Sequence, residues 1–377
     1  MSILERIPKK SSFTLGLLSL MALLFGVSGS SYASAVNTPT IDVWYGLNQS
    51  FGQIGNPQTF VNIFGNVSDP DGLDTNKLTY SLNGGSDQSY NIGPDNRRLA
   101  LPGDFNIDIP HANLNEGANS LVITAVDIND NSATATVTIN FTDQNTWPTN
   151  YTADWSSASK IEDVAQVVDG LWNLTANGVR PAVIDYDRII AVGDITWTDY
   201  TAVVPITVHG LDTDPGAYQS PSNFPGIGLI AHWQDHYDQF NDQPNWGWDN
   251  IGAFGLYSWP QGTDGQYQLI VHSGRQQDFD PTKPAIQFNQ PYWMKMQVET
   301  RTGQTSYFRF KMWLQSESEP ADWDVEGPGR MGEPGQGSLL LVAHHVDATF
   351  GDVVINSGST TPPIDFDYSI FLPLLNK

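Results

Sequence analysis

The segment from His232 to Trp259 concentrates side chains that suit contact with a sugar. Trp233, Tyr237, Trp246, Trp248, Tyr257 and Trp259 stand there among His232, Asp235, His236, Asp242, Asn245 and Asp249. Flat aromatic faces pack against the C–H surface of a pyranose ring, and planar polar groups read its hydroxyls. The run Asn245-Trp246-Gly247-Trp248-Asp249-Asn250 spaces two indoles by two residues, so an extended chain presents both on one face. Each indole has a second use as filling between sheets, where its area is best buried. The candidate ligand contacts in this segment are His232, Trp233, Trp246, Trp248 and Asp249. Arg309 joins them: it alternates with Phe308 and Phe310 and so projects from the opposite face of its strand, into a groove or simply into solvent.

Other chemistry is sparser. His232 and His236 have the i,i+4 spacing that pairs metal ligands on a helix, but at the end of a strand that spacing does not align them. His344-His345 closes an apolar strand, and alternation puts one ring on each face, one structural and the other free to share a surface with His232. A hydrolase needs two carboxylates in one cleft. Glu299 is the best isolated acid and has no nameable partner, while Asp322-Trp323-Asp324-Val325-Glu326 reads as a surface loop. A Gly-x-Ser-x-Gly elbow and a phosphate loop are absent. No catalytic residue is therefore named. Hard oxygen donors are plentiful, which makes calcium the expected cofactor, in a structural role. Asp69, Asp71 and Asp74 form one turn around Gly72, and Asp127 with Asp130 forms another, although such turns also close without a metal.

The elements that must position these residues are set by composition. The 377-residue chain carries 41 Asp+Glu against 17 Lys+Arg, a formal net charge of −24. A polyanion of that size repels nucleic acid and anionic lipid, so neither is expected as a partner, and a neutral glycan is favoured over an acidic one. With 34 Gly, 24 Pro and only 15% charged residues, the chain reads as ordered and turn-rich. It has no cysteine, which excludes disulfides, thiolate metal sites and cysteine nucleophiles. Residues 1–35 have the layout of a signal peptide: Lys9 and Lys10, an apolar stretch from Phe13 to Val27, and Ala33-Ser34-Ala35 as the cleavage pattern. Cleavage after Ala35 would give a secreted or cell-surface protein; the other use of this stretch, a membrane anchor, falls short of the roughly 20 residues a span needs. Residues 359–377 combine a Thr/Pro linker with the apolar end Tyr368-Ser369-Ile370-Phe371-Leu372-Pro373-Leu374-Leu375. That end suits surface anchoring or a last strand folded back.

Residues 36–143 read as short strands split by turns, with Leu121–Val126 and Ala133–Phe141 joined through Asp127-Ile128-Asn129-Asp130-Asn131-Ser132. With Val67-Ser68-Asp69-Pro70-Asp71-Gly72, these segments resemble a bacterial immunoglobulin-like or cadherin-like module. Residues 144–358 carry 11 of the 12 tryptophans and again read as strands, with no run at helical period. Tyr151-Thr152-Ala153-Asp154-Trp155, then Asp169-Gly170-Leu171-Trp172, the Gly-rich strand ending in Trp233, the Trp293 to Trp313 hairpin and the closing Phe350-Gly351-Asp352-Val353-Val354-Ile355 are similar in order to the concanavalin A-like lectin/glucanase superfamily, laminin-G-like domains included. The resemblance implies an all-β chain, an immunoglobulin-like β-sandwich followed by a two-sheet jelly roll. It also implies a structural calcium between the opening and closing strands, at Asp154 and Asp352. The Glu-x-Asp-x-x-Glu spacing of the glucanases is missing. That fold hosts lectins, hydrolases, lyases and structural modules alike. The function expected is non-catalytic binding of a neutral glycan, with the first module as a spacer; a glycoside hydrolase or lyase, and an adhesive surface module without glycan binding, are the alternatives.

Overall fold

The computed structural model describes residues 37–212, 224–237, 243–248, 251–259, 268–273, 276–280, 285–301, 305–329 and 331–358, with the backbone alone at 248, 268–273 and 276–280. The expected leader, the C-terminal tail and Asp249 lie outside the described residues. Regular structure among the described residues is β throughout, apart from three one-turn 3-10 helices. None of their helices is long and apolar enough to cross a membrane.

Strands up to Phe141 form two sheets. One has three strands, in the order Thr40–Val43, Phe60–Ser68, Asp104–Pro110. The other has five, in the order Asn48–Phe51, Ser132–Phe141, Gly117–Val126, Thr79–Leu82, Gln88–Ser89, and its first pair is parallel. The predicted hairpin is present, with Leu121 opposite Val137. Its inward residues Leu121, Ile123, Ala125, Val137 and Ile139 meet Val61, Ile63, Phe105 and Ile107 from the three-stranded sheet in one core. Period-two alternation is what lets each strand give one face to that core.

Strands from Tyr151 onward form a seven-stranded and a nine-stranded sheet. The first runs Gln166–Asp169, Asp187–Val192, Ser338–His344, Gly226–Trp233, Ala253–Ser258, Gln268–Ser273, Gln276–Asp280. The second is centred on Tyr200–Leu211, Pro291–Glu299 and Tyr307–Leu314, and Val353–Ser357 pairs both with Tyr200–Leu211 and with the opening strand Tyr151–Ala153. The main core lies between these sheets: Ile227, Leu229, Leu339 and Leu341 from one meet Val204, Met294, Met296 and Phe310 from the other. The opposite parity populates the outer faces, with Ile189, Ile230, Leu340 and Val342 on the seven-stranded sheet and Val203, Trp293 and Trp313 on the nine-stranded one.

The first module is not held off on a linker. The chain from Asn37 onward is one compact unit, and the module caps the outer face of the seven-stranded sheet. Ser338 Oγ donates to Pro57 O at 2.8 Å, Gln166 Nε2 to Phe60 O at 2.9 Å, and Thr59 Oγ1 to Asp235 Oδ2 at 2.7 Å. Tyr45 donates its hydroxyl to Gly170 O and accepts from Trp172 N, while Phe64 packs into the main core of the second module. A Cβ on Gly55 would sit 2.3 Å from Trp147 N, so this approach of backbones requires glycine there.

Candidate functional site

The junction of the two modules carries a buried polar network and, beside it, an open cavity. Arg98 is at the centre of the network. Its Nε pairs with Asp169, its Nη1 donates to Asp108 Oδ2 at 2.6 Å and to Asn245 O, and its Nη2 donates to Val168 O at 3.0 Å. Asp169 also faces His236 Nε2 at 2.9 Å. Burial opposes the charge on Arg98, but Asp108 and Asp169 outweigh it and raise its pKa. Asp169 is lowered in return: burial alone would raise it, and Arg98 and His236 prevail. From Asp108 the network runs on through Asn62 and Gln58 to the indole N–H of Trp233.

The same network stitches residues 243–248 onto the first module. Asn245 N donates to Asp108 Oδ2 at 2.8 Å, and the Gln243 side chain bonds both the N–H and the C=O of Asp108. Trp246 is thereby fixed beside the first module, half-buried, with the Arg97 guanidinium 3.5 Å from its ring centroid. A cavity of about 310 Å³ opens here, walled by Trp246 and Pro244 from the second module and Tyr90, Asn91, Asp95 and Arg97 from the first. That volume lies at the lower end of the range of small-molecule sites, about 300–1,000 Å³. An indole, a guanidinium, a carboxylate and an amide around one cavity can stack on a ring and read its hydroxyls, while the Tyr90 phenol belongs to the core behind them. Arg97, Tyr90 and Asn91 were not among the sequence candidates; the adjacent basic pair Arg97-Arg98, in a chain with so few cations, is a signal that could have singled out Arg97, and none marks Tyr90 or Asn91.

His232, Trp233 and Arg309 do not gather here. His232 and Trp233 are both fully buried. The strand carrying them shifts register between Ile230 and Trp233, with His232 at φ 55°. His232 turns into the main core, where its two ring nitrogens meet Pro334 O and Thr198 O at 2.9 and 2.8 Å, and burial lowers its pKa. Trp233 turns outward but beneath the first module. Neither lines a ligand surface, so the expectation for these two is corrected: packing and backbone carbonyls already use their faces and nitrogens. Trp248 pairs through its backbone with His236, and nothing of its side chain is described. His344 and His345, expected on opposite faces, lie together, because His345 adopts φ 54° and breaks the alternation.

Arg309 stands on the nine-stranded sheet, away from Trp246. Thr201, Gln297, Arg309 and Glu326 are in register across four strands. They are linked by hydrogen bonds from Gln297 to Thr201 (3.1 Å), Arg309 to Gln297 (2.9 Å) and Arg309 to Glu326 (3.0 Å). One row along, Lys295 and Lys311 share Glu319 at 2.7 Å each, under the Trp323 ring. Arg309 also pairs with Glu299 at 3.0 Å, and its hydrogen bond holds the Glu299 carboxyl below the usual carboxylate range. A general acid in glycoside cleavage needs the opposite shift.

Two carboxylate groupings could hold a hard cation. The two turns singled out in the sequence come together, and Asp69, Asp71 and Asp127 place ligand oxygens within 4.8 Å of one another. Asp69 Oδ2 is buried there without a hydrogen-bond partner, which fits a bound cation better than a self-satisfied turn. Asp154 and Asp352 are also neighbours across the pairing of the opening and closing strands. The Asp352 carboxyl is raised by burial and then by the charge of Asp154, although Asp154 is itself bonded to Ser156 and Asp352 to Trp155 N.

No family model matches the chain, and no curated protein matches its sequence. Solved structures do. The alginate lyase Aly36B is 10% identical over 57% of this chain and 99% of its own, at a TM-score of 0.36. The exoplasmic/lumenal domain of VIP36, in its Ca2+/Man3GlcNAc-bound form, is 12% identical over 55% of this chain and 88% of its own, at 0.35. A mutant of the GH43 protein BlXynB from Bacillus licheniformis is 12% identical over 64% and 51%, also at 0.35. These likenesses concern the course of the chain and assign no residue a role.

Proposed function

We propose that this chain is an exported, non-catalytic carbohydrate-binding protein that holds a neutral glycan at the junction of its two modules. The observation that carries the reading is the cavity of about 310 Å³ in which Trp246, fixed by the Asp108–Asn245 contact, meets Arg97, Asn91 and Asp95. Trp246 supplies apolar surface, and Arg97, Asn91 and Asp95 supply hydrogen bonds to hydroxyls. The first module then acts as half of the site rather than as a spacer. The net charge of −24 favours a neutral ligand. Calcium is assigned a structural part, at Asp69, Asp71 and Asp127 and at Asp154 and Asp352, where it would neutralise converging carboxylates; without disulfides the fold gains stability from it by linkage. Export rests on the leader at residues 1–35, and surface attachment on the tail at 359–377. Affinity electrophoresis of residues 36–377 through a panel of neutral polysaccharides, with calcium present, tests the reading. Retardation by one glycan supports it; free migration through all of them, or cleavage of the retained glycan, overturns it in favour of an adhesive module or an enzyme, respectively.

A further inference from the structure

Two histidines at one end of the seven-stranded sheet present buried ring nitrogens that bind nothing. His344 ends the strand Ser338–His344, and His345 follows it in the left-handed region at φ 54°. The two rings therefore lie edge to face, with centroids 4.8 Å apart. Tyr186 closes against both, at 4.6 and 6.0 Å. His344 Nδ1 is 2.7 Å from Asp187 Oδ1, and His345 Nδ1 is 3.0 Å from Asp212 Oδ2. An ionised carboxylate only accepts, so each Nδ1 carries the proton and donates it. In a neutral imidazole that leaves the lone pair on Nε2. Both Nε2 atoms are shielded from water and have no hydrogen-bond partner.

A ring held through Nδ1 by a carboxylate, with a bare Nε2, is how proteins set an imidazole to ligate a metal. Left-handed backbone at a non-glycine residue is a form of strain that collects at functional sites. We propose that His344 and His345 bind a divalent transition ion of the zinc, cobalt or nickel class through their Nε2 atoms, with Asp187 and Asp212 orienting the rings. Imidazole selects these ions over calcium, so the site is chemically separate from the Asp69 cluster. The site stands independently of the glycan reading.

Cobalt and zinc are the probes. The full chain, stripped with a chelator and dialysed, is titrated with Co2+ by visible absorption and with Zn2+ by calorimetry. One equivalent of Co2+ should give d–d bands that Zn2+ abolishes. The double variant His344→Gln/His345→Gln should lose that equivalent. Asp212→Asn, which keeps both rings, should bind 10–100-fold more weakly with an unchanged circular dichroism spectrum. Absence of Co2+ and Zn2+ binding in the unaltered chain overturns the proposal, as does binding that survives unchanged in the double variant; full affinity in Asp212→Asn removes the orienting role.

Discussion

Arg98 of the first module and Asp169 of the second form an ion pair from which water is excluded, with side-chain exposures of 3% and 0%. A contact of that kind makes two sequence-adjacent modules depend on each other. It also fixes the 243–248 segment through Asn245, so the network and the cavity wall are one construction.

Removing the guanidinium should show this dependence. Arg98→Met leaves Asp108 and Asp169 buried without their cation, and breaking a buried pair costs about 3–5 kcal/mol. The urea midpoint should fall accordingly in equilibrium unfolding followed by tryptophan fluorescence. An unchanged midpoint would mean that the network contributes nothing to the docking.

Calcium should stabilise the chain in a site-specific way. A ligand at 100 times its Kd adds about 2.7 kcal/mol. Chelation should therefore lower Tm by several degrees, and Asp71→Asn should remove part of the calcium response while Asp352→Asn removes another part. A Tm indifferent to chelator and calcium would exclude both groupings as metal sites.

Acid should destabilise the first module through His111. Its ring packs against Phe141 at 4.6 Å, and burial pushes its pKa down to about 4 from 6.5. As pH falls through 6.5 the unfolded chain takes up a proton that the folded chain refuses until about pH 4. Stability is thus lost progressively across that window and no further below it. Relative to a His111→Gln variant, the native chain should lose about 3 kcal/mol between pH 6.5 and 4. Urea midpoints at pH 7, 5.5 and 4 check this, and parallel pH curves for the two proteins would refute it.

The β-architecture was legible because period-two patterns such as Leu121-Val122-Ile123-Thr124-Ala125 identify strands and their inward faces. Periodicity cannot say what an outward face meets. Asn62, Asn106 and Asp108 are polar residues set among apolar strand neighbours, and nothing in their spacing shows that they are buried where the modules dock. The register shift that buries His232 and Trp233, and the left-handed residue that brings His344 and His345 together, are single-residue conformational events with no repeating signal. Trp246 was found as a candidate from its composition and spacing, whereas its partners Arg97 and Tyr90 come from more than 140 residues away along the chain.

The central claim is that the Trp246 cavity holds the glycan. Its most direct test is calorimetric titration of the native chain, Trp246→Ala and Arg97→Ala with an oligosaccharide of the polysaccharide that retards the native protein. Loss of the indole should weaken binding roughly 30-fold, about 2 kcal/mol. Loss of the guanidinium should weaken it by about 1 kcal/mol, with both variants folded. Equal affinity in Trp246→Ala and the native chain would contradict the account and move the glycan site to another face.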